Sequence, residues 1–250
     1  MFKLRTIFLT TCLGTLPMAG MAGMAGDDED QFVDSNLLGI FYHELGHAVI
    51  DLMQLPVFGQ EEDAADVFSI LLVNEFFDEE TATALAYDAA LGFLGEAAAV
   101  ANDEPAYWDV HGLDEQRFYN LVCLFYGANP NEREDFAEAF ELPEYRGDSC
   151  PEEFDLAYDS WSAVLDEMGK NGGGQTIGYR TPESDNEVAG FVHDIIAPEV
   201  SALNEQLQFP QSLEVRIEEC GEANAFYDPE SIAITICEEF VPHLQEMAAY

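Results

Sequence analysis

Residues 40–66 read IFYHELGHAVIDLMQLPVFGQEEDAAD, and the spacing of the polar groups in this stretch sets what the rest of the chain has to build. His43 and His47 are four apart, so on a helix both imidazoles leave one face a turn from each other, within reach of a single metal ion. Glu44 lies beside that face, where a carboxylate can take a proton from a metal-bound water. The flanking Ile40, Phe41, Leu45, Gly46, Ala48 and Val49 are all uncharged. Such a helix is expected to be buried, with its polar groups kept for ligation.

Two histidines do not complete a catalytic zinc site, which takes three protein ligands and leaves one position for water. Pro56 and Gly59 break the first helix, and the acidic run Glu61-Glu62-Asp63 is the first turn expected of a second one. On that helix Glu62 and Asp66 share a face. Here the chain resembles the gluzincins, zinc peptidases in which HExxH is followed by a helix carrying ExxxD. The resemblance implies that Glu62 binds Zn2+ and that Asp66 steadies His43 or His47. Two plainer readings stand beside it: an amphipathic helix whose histidines are satisfied in the core, and a zinc that is purely structural.

At the start of the chain, Lys3 and Arg5 precede the apolar run IFLTTCLGTLPMAGMAGMAG. A basic start, a short apolar region and small residues at Ala22 or Ala25 make residues 1–25 a secretory signal peptide, so the protein is expected to be secreted or periplasmic. Thr10 and Thr11 argue against lipidation at Cys12. No other stretch has the apolar length of a membrane span. Cleavage leaves four cysteines, an even number for an oxidising compartment. Cys123 with Cys150 and Cys220 with Cys237 is the favoured pairing because each closes a local unit. The other two connectivities stay open, whereas a four-cysteine zinc site lacks any CxxC pair.

Acidic residues number 50 against 8 basic ones, a formal net charge of -42. Nucleic acid and anionic membrane both need a basic patch, so neither is an expected partner. Self-repulsion on this scale opposes compaction until salt screens it, which suits either a saline habitat or simple solubility of an exported protein. No calcium-binding EF-hand spacing occurs.

About 225 residues remain after cleavage, enough to bury a full core in one domain. The expected architecture is α+β but mainly α, with a zincin-like metal-binding helix pair and a small C-terminal β-sheet or hairpin. Apolar residues at helical spacing predict helices over 62–77, 81–101, 116–126, 131–141 and 151–168, forming a helical lobe over 34–169. Residues 107–114 read as a loop, and 170–175, with three glycines in a row, as a linker. An α/β segment then follows over 176–250, with strands at 176–179, 213–218 and 232–237 and a helix at 187–207.

Between the last two strands lies GEANAFYDPES, whose Gly221 and Asp228-Pro229 mark a turn. Its Asn224, Ala225, Phe226 and Pro229 are similar to the NAF-x-x-P segment that gluzincins of the membrane CAAX-protease type carry just before their HExxH helix. The resemblance implies an edge strand over Asn224–Tyr227 that holds an extended peptide by backbone pairing. In this chain the segment follows the metal helix, so a circular permutation is implied; the plain alternative is a hairpin turn. HELGHA at 43–48, EEDAAD at 61–66, HGLDEQRFYN at 111–120 and ECGEANAFYDP at 219–229 also resemble a family of uncharacterised bacterial metallopeptidase-like proteins. That resemblance implies the fold and metal site over residues 37–240 and no substrate.

Peptide hydrolysis also needs a donor for the developing oxyanion. His111, Arg117, Tyr119 and Tyr227 are the candidates, with His111 favoured because it sits in a loop before a glycine. Arg117 is read either as a clamp for a substrate carboxylate or as the partner of one of the many acids. His193 is read as a core or surface residue, and His243 is given no role. The function classes that follow are a secreted zinc peptidase acting on a peptide or protein, an inactive zinc- or peptide-binding exported protein, and an acidic protein in which the metal only holds helices together.

Overall fold

The computed structural model describes residues 24–101 and 104–248. All but the last two residues of the expected signal peptide lie outside the described residues. The elements run α1 (Met24–Leu52), α2 (Glu61–Phe76), α3 (Glu79–Ala99), α4 (Asp114–Ala128), α5 (Glu134–Ala139), α6 (Glu144–Gly147), α7 (Cys150–Gly169), β1 (Ile177–Arg180), α8 (Glu187–Gln206), β2 (Leu213–Glu218), β3 (Ala225–Asp228), β4 (Ala233–Cys237) and α9 (Phe240–Ala248). The architecture is therefore α+β and mainly α, as the periodicity implies.

The hub is α1. Val33, Leu37, Phe41, Tyr42, Leu45, Ala48 and Val49 are fully buried and spread over half the circumference, and Phe32 and Ile50 are buried on the other side. Helices α2, α3, α8 and α9 and strands β3 and β4 all pack against it. Local chemistry sets where the neighbours begin. Asp78 caps α3 by accepting from the Thr81 N–H, and Asn186 caps α8 by accepting from the Ala189 N–H. Pro151 sits in the first turn of α7, where its missing N–H costs nothing.

The four strands lie in the order β1-β2-β4-β3. β1, β2 and β4 are mutually parallel, with Val215 opposite Ile234, and β3 closes the sheet as an antiparallel edge with Phe226 opposite Thr235. Leu213, Val215 and Ile217 alternate with polar residues along β2, so one face is buried. The two disulfides are Cys123–Cys150 and Cys220–Cys237, the favoured pairing.

Three details differ from the sequence reading. The helix expected over 131–141 is only α5, because the chain first turns at Asn129, whose carbonyl accepts from the Glu132 and Arg133 N–H groups. The segment 170–175 is packed against the end of α8, with the Gly173 N–H on Glu205 O and the Gly174 N–H on Leu207 O. A Cβ on Gly173 would fall 1.9 Å from Asn204 O, so glycine is what allows this approach. Finally, α9 was not expected: it buries Val241, Leu244 and Met247 along one face against α1 and α3.

Candidate metal centre

The site begins at a helix crossing. A Cβ on Gly46 would meet Ala65 Cα at 3.0 Å and Phe68 Cδ1 at 3.2 Å, so α1 and α2 touch almost backbone to backbone. That closeness brings Glu62, one turn before Ala65, over the histidine face of α1. His43 Nε2, His47 Nε2 and Glu62 Oε2 form a triangle with edges of 3.2, 3.1 and 3.1 Å. Tetrahedral coordination with bonds of about 2.0–2.1 Å places ligand atoms about 3.3–3.4 Å apart, so the triangle closes on an ion with small adjustment. These three residues are a group that could hold a metal.

The surroundings fix the protons. His43 Nδ1–H donates to Asp66 Oδ1 at 2.7 Å, and His47 Nδ1–H donates to Glu61 Oε1 at 2.8 Å. A carboxylate can only accept, so with the proton on each Nδ1 the two Nε2 lone pairs point at each other and at an anionic oxygen. Three converging acceptors call for a cation, and the donor set fits zinc or a similar divalent ion. Arg117 completes the support by gripping Asp66 with two hydrogen bonds of 2.8 Å while lying over the Phe93 ring. Thus Asp66 belongs to His43 and not to His47, and Arg117 is committed to Asp66.

Charge follows this geometry. Burial alone would push the His43 imidazole down, but Asp66 and Glu62 hold it up, to about 9 in the absence of a metal. Burial likewise raises the Asp66 carboxyl, and the Arg117 and His43 hydrogen bonds overcome it, to about 2. Glu62 is held well below the usual carboxylate range, first by His111 and then by His43 and His47. Glu44 moves the other way: burial raises it, against the opposing pull of His43, His47 and a main-chain bond from Tyr227. Its Oε1 lies 4.0 Å from His43 Nε2, beside the ligand triangle.

A cleft of about 1170 Å³ opens over the triangle. One wall is β3 with Asn224, Ala225, Phe226 and Tyr227; the other is the 107–113 loop with Trp108, Val110 and His111. His111 Nε2 stands 2.9 Å from Glu62 Oε2, while its main-chain N–H donates to Asp109. Behind α1 lies a cavity of about 390 Å³ whose lining mixes apolar Ile40, Val67, Phe93 and Leu121 with charged Asp63, Glu96 and Glu153, and which shares Ile40, His43 and Arg117 with the cleft.

The structure thus gathers His43, Glu44, His47, Glu62, Asp66, His111, Arg117 and Asn224–Tyr227 at one place. His193 instead meets the Tyr179 hydroxyl, and His243 meets Glu96, both away from it. Glu61 and Asp51 are partners that sequence reasoning missed. Glu61 is one of three adjacent acids with nothing to single it out. Asp51 is one turn beyond His47 on the same face, a placement the helix periodicity carries. Among the described residues no helix is long and apolar enough to cross a membrane.

No curated protein and no solved structure matches the chain. A family model described as "Putative metallopeptidase" matches residues 18–165 and 183–250, which takes in α1, α2, the His111 loop and β3, and the chain belongs to that family.

Proposed function

We propose that this protein is an exported zinc-dependent peptidase of gluzincin type, circularly permuted, in which His43, His47 and Glu62 are the metal ligands. The observation that carries the reading is the ligand triangle with a buried carboxylate, Glu44, 4.0 Å to its side. A zinc ion held there would supply Lewis acidity, making a water acidic and a peptide carbonyl electrophilic. Glu44 accepts the proton of the attacking water and returns it to the amine that leaves.

His111 reaches the cleft beside Glu62 and donates to the oxyanion as the carbonyl carbon becomes tetrahedral. Asp66 and Glu61 keep the ligand histidines in the tautomer that presents Nε2. The edge of β3 that faces away from β4 borders the cleft, which supports backbone pairing with an extended peptide and supports the permuted order of segments. Two disulfides agree with a secreted or periplasmic location.

The test is metal content after purification together with hydrolysis of a mixed peptide library by the parent and by Glu44→Gln. The expected result is one zinc in each protein and a rate about 10²- to 10⁴-fold lower for Glu44→Gln. A parent that holds zinc and cuts nothing leaves a zinc- or peptide-binding protein in its place.

A further inference from the structure

Tyr227 touches the metal helix twice. Its main-chain N–H donates to Glu44 Oε2 at 2.8 Å, and its hydroxyl donates to Asp51 Oδ2 at 2.7 Å. Glu44 and Asp51 are seven residues apart on α1, so they lie on one face about 10 Å from each other along the axis. The N–H is free for this contact because of the strand register. The Asn224 carbonyl accepts from the Cys237 N–H and Phe226 pairs with Thr235, so the backbone groups of Ala225 and Tyr227 point out of the sheet edge, toward α1 and the cleft.

Glu44 has two oxygens, and the cleft chemistry needs one of them beside the ligand triangle. With Oε2 taken by the Tyr227 N–H, Oε1 is the oxygen left 4.0 Å from His43 Nε2. A strand edge has one β partner only, so its position relative to α1 depends on contacts such as the hydroxyl on Asp51. We propose, on the basis of the peptidase reading above, that Tyr227 is a positioning residue: its side chain pins β3 to α1 so that its own main-chain N–H holds Glu44 turned toward the metal. It follows that Tyr227 N–H is not offered to a substrate, and that backbone pairing with a peptide falls to Ala225.

The contact can be read without turnover. Selective ¹⁵N-tyrosine labelling of the zinc-loaded protein gives amide signals for its ten tyrosines. One of them, an N–H donated to a buried carboxylate, is expected far downfield; it should vanish in Tyr227→Phe, which removes the label and so assigns the signal, and it should move upfield in Glu44→Gln and shift in Asp51→Asn. In peptide hydrolysis, Tyr227→Phe is expected to lower kcat about tenfold, as loss of one hydrogen bond allows, with KM and zinc content unchanged. Adding it to Glu44→Gln should lower the residual rate no further, because the residue acts through Glu44. A Tyr227 amide that ignores Glu44→Gln, or a Tyr227→Phe effect that appears in KM alone or persists at full size in the Glu44→Gln background, overturns the proposal. Should Tyr227→Phe fail to fold, Asp51→Asn weakens the same tether from the other side and is held to the same readouts. A parent without hydrolysis would sink the peptidase reading, while the amide shift would still decide whether Tyr227 holds Glu44.

Discussion

Asp66 joins His43 to Arg117, so on the zinc reading proposed above its loss should be felt at the metal. Asp66→Asn keeps the shape and weakens the pairing with Arg117; metal affinity measured by competition with a chromophoric chelator is expected to fall about 10- to 100-fold. Asp34 offers a separate test, in the pH dependence of stability. Burial, with the neighbouring Asp30 charge, raises its carboxyl from the usual 3.8 to about 6, and its Oδ1 has no hydrogen-bond partner. A carboxyl raised on folding is at no disadvantage while protonated in both states, and its ionised form then costs stability as pH climbs from about 4 through 6. Asp34→Asn should therefore stabilise the protein at pH 7 and leave it unchanged at pH 4. The side chain is only half-buried, so solvent screening limits the gain to about 1 kcal/mol, readable in denaturant melts at the two pH values.

The α1–α2 crossing depends on Gly46. A methyl there meets Ala65 main chain at 3.0 Å, and neither helix can yield without moving Glu62. Gly46→Ala gains about 1 kcal/mol in helix propensity but should lose about 1–3 kcal/mol to overpacking. The expected outcome is a lower melting temperature and weaker zinc binding together, whereas alanine at the open Gly190 of α8 should do neither. The HExxH and ExxxD spacings announce both helices and the faces that meet. They do not announce how closely they meet, because a glycine inside a helix pattern reads equally as a defect. The last helix, α9, shows the opposite limit: Val241, Leu244 and Met247 form a short stripe after the final strand, and only the groove between α1 and α3 gives nine residues a reason to be helical.

Taken as a whole, the molecule carries a net charge of -42, and few of its charges are buried. Exposed like charges repel over a Debye length of about 10 Å at 0.1 M salt and about 3 Å at 1 M. Raising sodium chloride from 0.05 M to 1 M is therefore expected to raise the melting temperature of the metal-loaded protein by several degrees, on the order of 1–2 kcal/mol. Calorimetry over a salt series checks this, and a flat or falling melting temperature would show that repulsion is not what limits stability.

Sequence by itself determined the candidates: which side chains could share a metal, which carboxylate could stand beside them, and that helices at 3.6-residue spacing carry them. Those are local facts, set by spacing along one or two consecutive helices. The tertiary structure decided everything that joins distant segments: that Asp66 serves His43 and is itself held by Arg117, that Glu61 serves His47, and that β3 comes back from residue 225 to lie against Glu44 and Asp51. A carboxylate-rich chain offers each of these donors many equivalent partners, and only the packing of α1 at the centre selects among them.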